Sequence, residues 1–373
     1  MNMIKSIIDF NEKKGFICDM DGVIYHGNQI LPGVPEFIQW LHDEKKEYLF
    51  LTTVLSDVNK RSILSSRKGR SYMDNIEKIK KLKEEKNAII LAHYYVDEEV
   101  QKIADYIGDS FYLAKVASQT EADRIVFAGV EFMGESAKIL NPNKKVLMPD
   151  AFADCPMAHM ITIKEIKEMR EKYDDLAVVC YINSTAEIKQ YADVCVTSSN
   201  AIKIVKALPQ KNIFFIPDQN LGDFVRRQVP EKNVMTNYGH CPRHTNITLD
   251  KLNEVKQKYP EAKIAVHPEC KREIVEAADF VGSTSAIIDY VVQTEAKDFI
   301  IGTVDGVFAK IKELAPNKNL HTIMDVQVCP NMKKVTLEKI VDVLENDTNE
   351  VILNDDFMQK ALSPLKKMLE LAK

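Results

Sequence analysis

Three cysteines, Cys155, Cys241 and Cys329, each stand directly before a proline, in DCPMAH, HCPRHT and VCPNMK, and are separated by 86 and 88 residues. Iron and other soft metals favour thiolate ligands, so three thiols from matching loops are a candidate ligand set for a metal or a cubane cluster. A closed structural site takes four protein ligands. With only three, either another residue fills the fourth place or one position stays open, and an open position on iron is a Lewis-acid site. Cys-Pro is also a turn signal that duplication would copy, and spacing alone leaves both readings standing.

The other cysteines carry less. Cys18, Cys180 and Cys195 lie in apolar strand or helix contexts and read as core residues. Cys270 begins a helix beside Glu269 but has no counterpart elsewhere in the repeat described below, so it receives no role. With seven Cys in all and no close pairing, no disulfide framework is expected, and a reducing, cytoplasmic setting is the default.

A second constellation is polar. His93, Tyr181 and His267 follow three matching apolar runs, and two residues further on stand Tyr95, Asn183 and Glu269. Ligands of open α/β sheets bind beyond the carboxyl ends of strands, where these six residues fall. A third set comprises Gly108-Asp109-Ser110, Thr197-Ser198-Ser199-Asn200 and Gly282-Ser283-Thr284-Ser285. Each precedes a helix and reads as an N-cap; helix N-termini meeting at one point would also cradle phosphate or carboxylate.

These residues recur because the chain repeats. AIILAHYYVDEEVQKIADYIGDS (88–110), AVVCYINSTAEIKQYADVCVTSS (177–199) and KIAVHPECKREIVEAADFVGSTS (263–285) align on an Ala-Asp pair, at Ala104-Asp105, Ala192-Asp193 and Ala278-Asp279. Apolar residues at i, i+3, i+4 and i+7 predict a helix across each pair: Val100, Ile103, Ala104 and Ile107, then Ile188, Tyr191, Ala192 and Cys195, then Ile274, Ala277, Ala278 and Val281. Strands RIVFA, NIFFI and DFIIG, and then KVLM, NVMT and NLHT, keep the same offsets. The cysteines lie 51, 49 and 51 residues after their Ala anchors.

The expected fold is therefore α/β: three homologous three-layer α/β/α domains with short, mostly parallel sheets around a pseudo-threefold axis. The expected boundaries are a partial α/β segment over 1–55, a basic, Ser-rich linker over 56–73, repeats over 74–160, 161–246 and 247–335, and a helical tail over 336–373 with a helix at Asp356–Leu371. In the first segment strands are expected near Gly15–Asp19 and Tyr48–Leu51, with a helix between them through Phe37, Ile38 and Leu41.

Composition narrows the function classes. The chain has 373 residues, 45% hydrophobic and 28% charged, with a formal net charge of −5, which disfavours a duplex nucleic-acid binder. No apolar run approaches the length of a membrane-spanning helix, and MNMIKSIIDFNEKKG lacks a secretory cleavage pattern.

The stretches ILAHYY (90–95), GDSFYLAK (108–115), IVFAGVEFMGESAKILNPNKKVLMPD (125–150), YINSTAEIKQYADVCVTSSNAIKIV (181–205), IPDQNLG (216–222), GHCPRH (239–244), HPEC (267–270), VGSTS (281–285) and CPNMK (329–333) resemble the quinolinate synthase family from about residue 75 onward. The resemblance implies a central 4Fe-4S cluster held by Cys155, Cys241 and Cys329, with one unligated iron that binds substrate. It implies condensation of iminoaspartate with dihydroxyacetone phosphate to quinolinate, phosphate and two waters, downstream of an aspartate-oxidising enzyme. It makes Tyr95, Tyr181, Glu269 and His267 the catalytic set, and His93, Ser110, Asn183, Ser198, Ser283 and Thr284 substrate contacts. The chain departs from the family pattern at Ala128, Glu131, Gly134, Ser136 and Asp154, and at Val304, with Asp305 next to it as a candidate substitute.

The beginning of the chain points elsewhere. FICDMDGVIYHG (16–27) and FLTT (50–53) resemble the start of a haloacid-dehalogenase-like sugar-phosphate phosphatase, with Asp19 as nucleophile, Asp21 as general acid/base and Thr52 on phosphate. The rest of that fold has no room before residue 75, so phosphatase chemistry is the enzymatic alternative and a non-enzymatic iron-sulfur sensor the other. A sensor would give the polar strand-end residues no purpose.

Overall fold

Each repeat opens with a short run of Ala, Ile, Val and Leu, the composition of a strand covered on both faces. A computed structural model of the chain describes residues 15–19, 25–26, 29–30, 40, 43, 47–51 and 75–373. It separates into two compact units, Met1–Ser71 and Tyr72–Lys373.

In the first unit, strand β1 (Gly15–Asp19) pairs in parallel with β4 (Glu47–Leu51), and β2 (Tyr25–His26) pairs antiparallel with β3 (Gln29–Ile30). The two parallel strands fall where the sequence predicts them. Asp21, Thr52, the residues of the helix expected through Phe37, Ile38 and Leu41, and the linker lie outside the described residues.

The second unit carries three four-stranded parallel sheets of one topology. The first contains β5 (Ala88–His93), β6 (Tyr106–Gly108), β7 (Arg124–Ala128) and β8 (Lys145–Leu147), in the order β6-β5-β7-β8. The next contains β9 (Leu176–Tyr181), β10 (Val194–Val196), β11 (Asn212–Ile216) and β12 (Asn233–Thr236), in the order β10-β9-β11-β12. The last contains β13 (Lys263–Val266), β14 (Phe280–Val281), β15 (Asp298–Gly302) and β16 (Asn319–Thr322), in the order β14-β13-β15-β16. With helices between the strands, these are the α/β layers that the repeat predicts.

One expectation needs correction. The apolar stripe across each Ala-Asp pair is not a single helix: Glu98–Ile103, Ala186–Lys189 and Arg272–Glu276 are short helices, and Ile107, Cys195 and Val281 already lie in the following strands. The Asp of each pair ends the helix. Asp105, Asp193 and Asp279 accept the backbone N–H of Ile90, Val178 and Ile264 at 2.8, 2.7 and 2.8 Å. Their own N–H groups donate to the carbonyls of those same residues at 2.9 Å each. A two-way clamp of this kind fixes the register between the first and second strand of each sheet, and it costs the helix its last turn. Lys83, Arg170 and Lys263 each add an ion pair to one of the three carboxylates.

The first two sheets share one hydrophobic core with the C-terminal helices Leu337–Asn346 and Asp355–Leu371. The long terminal helix begins within a residue of its predicted start. The third sheet has one apolar cluster around Ile264, Val266 and Ile300, and a second around Ala265, Phe299 and Ile301. Alternate residues of β13 and β15 feed the two clusters, as the pleat requires. Gln101 joins the repeats: its Nε2 donates to the carbonyls of Tyr94 (2.9 Å), Val96 (3.1 Å) and Gly306 (3.0 Å). Gly306 lets the backbones meet there, because a Cβ would run into the Tyr94 carbonyl and lie 2.8 Å from Tyr95 Cα.

Candidate active site

The carboxyl ends of β5, β9 and β13 and the three Cys-Pro loops line one cavity of about 200 Å³. Cys155, Cys241 and Cys329 all border it, although they come from sequence positions 86 and 88 residues apart. Of the other predicted residues, His93, Tyr95, Ser110, Tyr181, Asn183, Ser198, His267, Glu269 and Thr284 also line it. Ser283 does not: its hydroxyl accepts the Ala286 N–H at 3.3 Å and caps helix Thr284–Gln293.

The strand-end positions hold their side chains by local backbone bonds. The Tyr95 N–H donates to His93 Nδ1 (3.2 Å), and the Glu269 N–H donates to His267 Nδ1 (3.3 Å). An Nδ1 that accepts leaves Nε2 as the protonated nitrogen of a neutral ring. Burial pushes both imidazoles down to about 3, so both are neutral near pH 7. His267 Nε2 lies 3.1 Å from Ser198 Oγ.

Glu269 is almost fully buried, yet it is well paired. The Tyr181 hydroxyl donates to Oε1 at 2.6 Å, and His244 Nδ1 lies 2.7 Å from Oε2. Burial alone would raise the carboxyl; His244, His267 and the Tyr181 hydroxyl outweigh it and hold Glu269 below its ordinary range, ionised. Burial, followed by the Glu269 charge, pushes the Tyr95 and Tyr181 hydroxyls up, so both keep their protons.

His244 continues the connection. Its Nε2 is 2.9 Å from Thr303 Oγ1, which is 2.7 Å from the Tyr95 hydroxyl; that hydroxyl is 3.1 Å from Thr284 Oγ1. Tyr181, Glu269, His244, Thr303 and Tyr95 thus form one hydrogen-bonded chain drawing on all three repeats. His244 and Thr303 have no role in the sequence reading. The signal for His244 was present, three residues after Cys241 in GHCPRH, and Thr303 directly follows β15.

Asp218 was also missed. It is fully buried, caps helix Gln219–Gln228 through the Leu221 N–H (2.7 Å) and accepts the Cys241 N–H at 3.1 Å, so it positions that cysteine loop. Asp154, a departure from the family pattern, does similar work by accepting the Cys155 N–H at 2.6 Å and pairing with His159. Ala128 is a buried strand end, and Glu131 an exposed first helical residue. Val304 lines the cavity and Asp305 does not.

The donor set fits a thiolate-bound group. Burial pushes the Cys155 thiol up to about 12, and it raises Cys241 and Cys329 as well. Neutral thiols in such a wall ionise when a cation takes their protons' place. Asn183 Oδ1 is buried there without a hydrogen-bond partner, an acceptor left for a ligand. Cys241, His244 and Glu269 have ligand atoms within 4.8 Å of one another, but the His244–Glu269 hydrogen bond already uses two of them. Among the described residues Cys180 and Cys195 are buried free thiols that do not line this wall, as expected of core cysteines, and Cys270 is buried outside it too.

Comparison with known proteins agrees with the geometry. Residues 77–370 match the family model described as quinolinate synthetase A protein. Residues 16–124 also match one described as haloacid dehalogenase-like hydrolase, which runs into the first of the three repeated sheets. The quinolinate synthase of Fusobacterium nucleatum is 58% identical over 296 residues, 79% of this chain and 99% of that protein. Those of Sulfurihydrogenibium sp. and Caldicellulosiruptor saccharolyticus are 52% and 49% identical, each over 80% of this chain and 98% and 100% of their own lengths. With the family model covering most of the molecule and relatives matched almost end to end, the chain belongs to the quinolinate synthetase A family.

Proposed function

We propose that the chain is a quinolinate synthase that condenses iminoaspartate with dihydroxyacetone phosphate, releasing phosphate and two waters, in the cavity bounded by the three Cys-Pro loops. The observation that carries this reading is the meeting, in one cavity, of three cysteines from three repeats with the Tyr181–Glu269–His244–Thr303–Tyr95 chain. Cys155, Cys241 and Cys329 would hold a 4Fe-4S cluster, which when bound supplies a Lewis acid at its unligated iron. A single ion with thiolates at about 2.3 Å would need sulfurs about 3.8 Å apart. The close-set partners of Cys241 are His244 and Glu269 rather than the other two cysteines, which favours a larger group.

The chain's own residues account for the proton traffic. Loss of phosphate and then water needs a base for the adjacent C–H and an acid for each leaving oxygen. Glu269, held ionised, is that base. Tyr95 and Tyr181, held protonated, are the acids, and Tyr95 recovers its proton through Thr303 and His244. Ser110, Ser198 and Thr284 bind phosphate or carboxylate oxygens at helix N-termini, while Ser283 sets the helix end beneath Thr284. His93 and His267 present Nε2–H donors to carboxylate or hydroxyl groups, and the Asn183 carbonyl takes a substrate N–H or O–H. The buried walls keep iminoaspartate, which hydrolyses readily, away from bulk water. Its source would be an aspartate-oxidising enzyme in the cytoplasm; no helix among the described residues is long and apolar enough to cross a membrane.

The test is anaerobic incubation of iron- and sulfide-loaded protein with dihydroxyacetone phosphate and freshly generated iminoaspartate. Quinolinate formed in proportion to protein supports the reading; iron-loaded protein that makes none overturns it.

A further inference from the structure

Most polar side chains lining the cavity are hydrogen-bonded within the protein. Arg243, between Pro242 and His244, borders the cavity, and it is the only Arg or Lys among the described residues to do so. Its side chain is exposed, and it makes no hydrogen bond or ion pair among the described residues.

The charges around it are of the opposite sign or absent. Asp109, Asp154 and Glu269 line the same cavity, and His93 and His267 are neutral because burial holds them down to about 3. Among the described residues, an anion entering this cavity therefore meets carboxylates and the Arg243 guanidinium. Arg243 also borders a smaller cavity of about 60 Å³, which shares Arg243, His244 and Val304 with the larger one and reaches exposed Asn246 and Val326. Arg243 thus lines both the small cavity and the large one.

We infer that Arg243 receives the anionic end of the substrate, pairing with a phosphate or carboxylate as it enters. A guanidinium presents parallel N–H donors that match either group, and a cleft with low-dielectric walls focuses its field on an incoming charge. This rests on the proposed reaction, both of whose substrates are anions. Arg243 is a specificity residue in this role and transfers no proton.

The experiment uses the full chain, loaded anaerobically with iron and sulfide, and compares wild type with Arg243→Gln and Arg243→Lys. Inorganic phosphate and quinolinate are titrated by calorimetry at low and high salt, and iron content is measured on each sample. Arg243→Gln is expected to weaken binding about tenfold and to flatten its salt dependence, with iron content unchanged. Arg243→Lys keeps the charge without the fork and falls between the two. In turnover assays KM rises more than kcat falls. Weakening confined to phosphate identifies the phosphate ester as the group received; weakening confined to quinolinate identifies the dicarboxylate. Equal binding of both probes by Arg243→Gln and wild type overturns the inference, and so does loss of iron, which would make Arg243 part of the cluster's support. If wild type makes no quinolinate, the proposed reaction fails, while the phosphate titration still decides the role of Arg243.

Discussion

His244 joins Glu269 to Thr303: Nδ1 lies 2.7 Å from the Glu269 carboxylate and Nε2 lies 2.9 Å from the Thr303 hydroxyl. The ring is almost fully buried, so neither nitrogen has water as an alternative partner. One imidazole thus helps hold a buried carboxylate ionised and connects it to Tyr95.

Replacing His244 with Asn removes a partner that offsets the desolvation of Glu269. The carboxyl rises toward the value that burial alone dictates, so the acid limb of the pH–rate profile moves to higher pH. We expect kcat to fall about 100-fold with the limb displaced upward. A profile of unchanged shape at reduced height would show that His244 does not set the protonation of Glu269.

Glu269→Gln keeps the shape but removes the base. Quinolinate formation is expected to drop by about 100-fold or more, with iron content and absorbance unchanged. Turnover near the wild-type level would exclude Glu269 as the base.

Thr303→Val deletes a hydroxyl at constant volume and breaks the chain between His244 and Tyr95. Because His244 Nε2 loses its partner in a buried site, unfolding free energy should drop by about 1–3 kcal/mol. Rate should fall about tenfold or more, and Thr303→Ser should restore most of both. Equal rates for Val and Ser would mean that the hydroxyl carries no proton traffic.

How much of this was legible differs by feature. The three sheets and their order of appearance follow from the spacing of apolar runs, because strands buried on both faces leave an unbroken apolar mark. The cavity residues were legible through the repeat, which assigns His93, Tyr181 and His267 to one register. The helices across the Ala-Asp pairs were misjudged, because periodicity records which side chains are buried and not that Asp105, Asp193 and Asp279 clamp the chain to a neighbouring strand. Ser283, expected as a substrate contact, lies outside the cavity lining and its hydroxyl caps a helix by accepting the Ala286 N–H. His244 and Thr303 went unassigned because each acts through a partner about 25 to 60 residues away or across another repeat.

Asp347 gives a pH-dependent prediction. Its carboxylate takes the Arg124 guanidinium through two bonds, at 3.1 and 3.2 Å, and Lys145 at 2.8 Å. The Arg124 hydrogen bonds first, then Lys145 and Lys86, hold its carboxyl well below the usual range. A depressed folded-state pKa contributes stability that is fully present above the unfolded value of about 3.9 and is lost as pH falls through the folded value. Asp347→Asn, which tolerates the left-handed backbone at φ 53°, should cost about 1 kcal/mol at pH 7, and the difference should shrink below pH 4. A difference that grows with acid in denaturant titrations would contradict this.

Asp19, at the end of β1, tests the other resemblance. Asp19→Asn should leave quinolinate output within about twofold of wild type, and a strong loss would give the first unit a part in the reaction.

On the proposed function, three repeats deliver their sulfurs to one shared group. The direct measurement is iron content and visible absorbance of anaerobically loaded wild type beside Cys155→Ala, Cys241→Ala and Cys329→Ala. We predict about four iron atoms per chain in wild type and loss of the cluster in every single variant. A variant that keeps its full iron and absorbance would remove that cysteine from the ligand set and contradict the account.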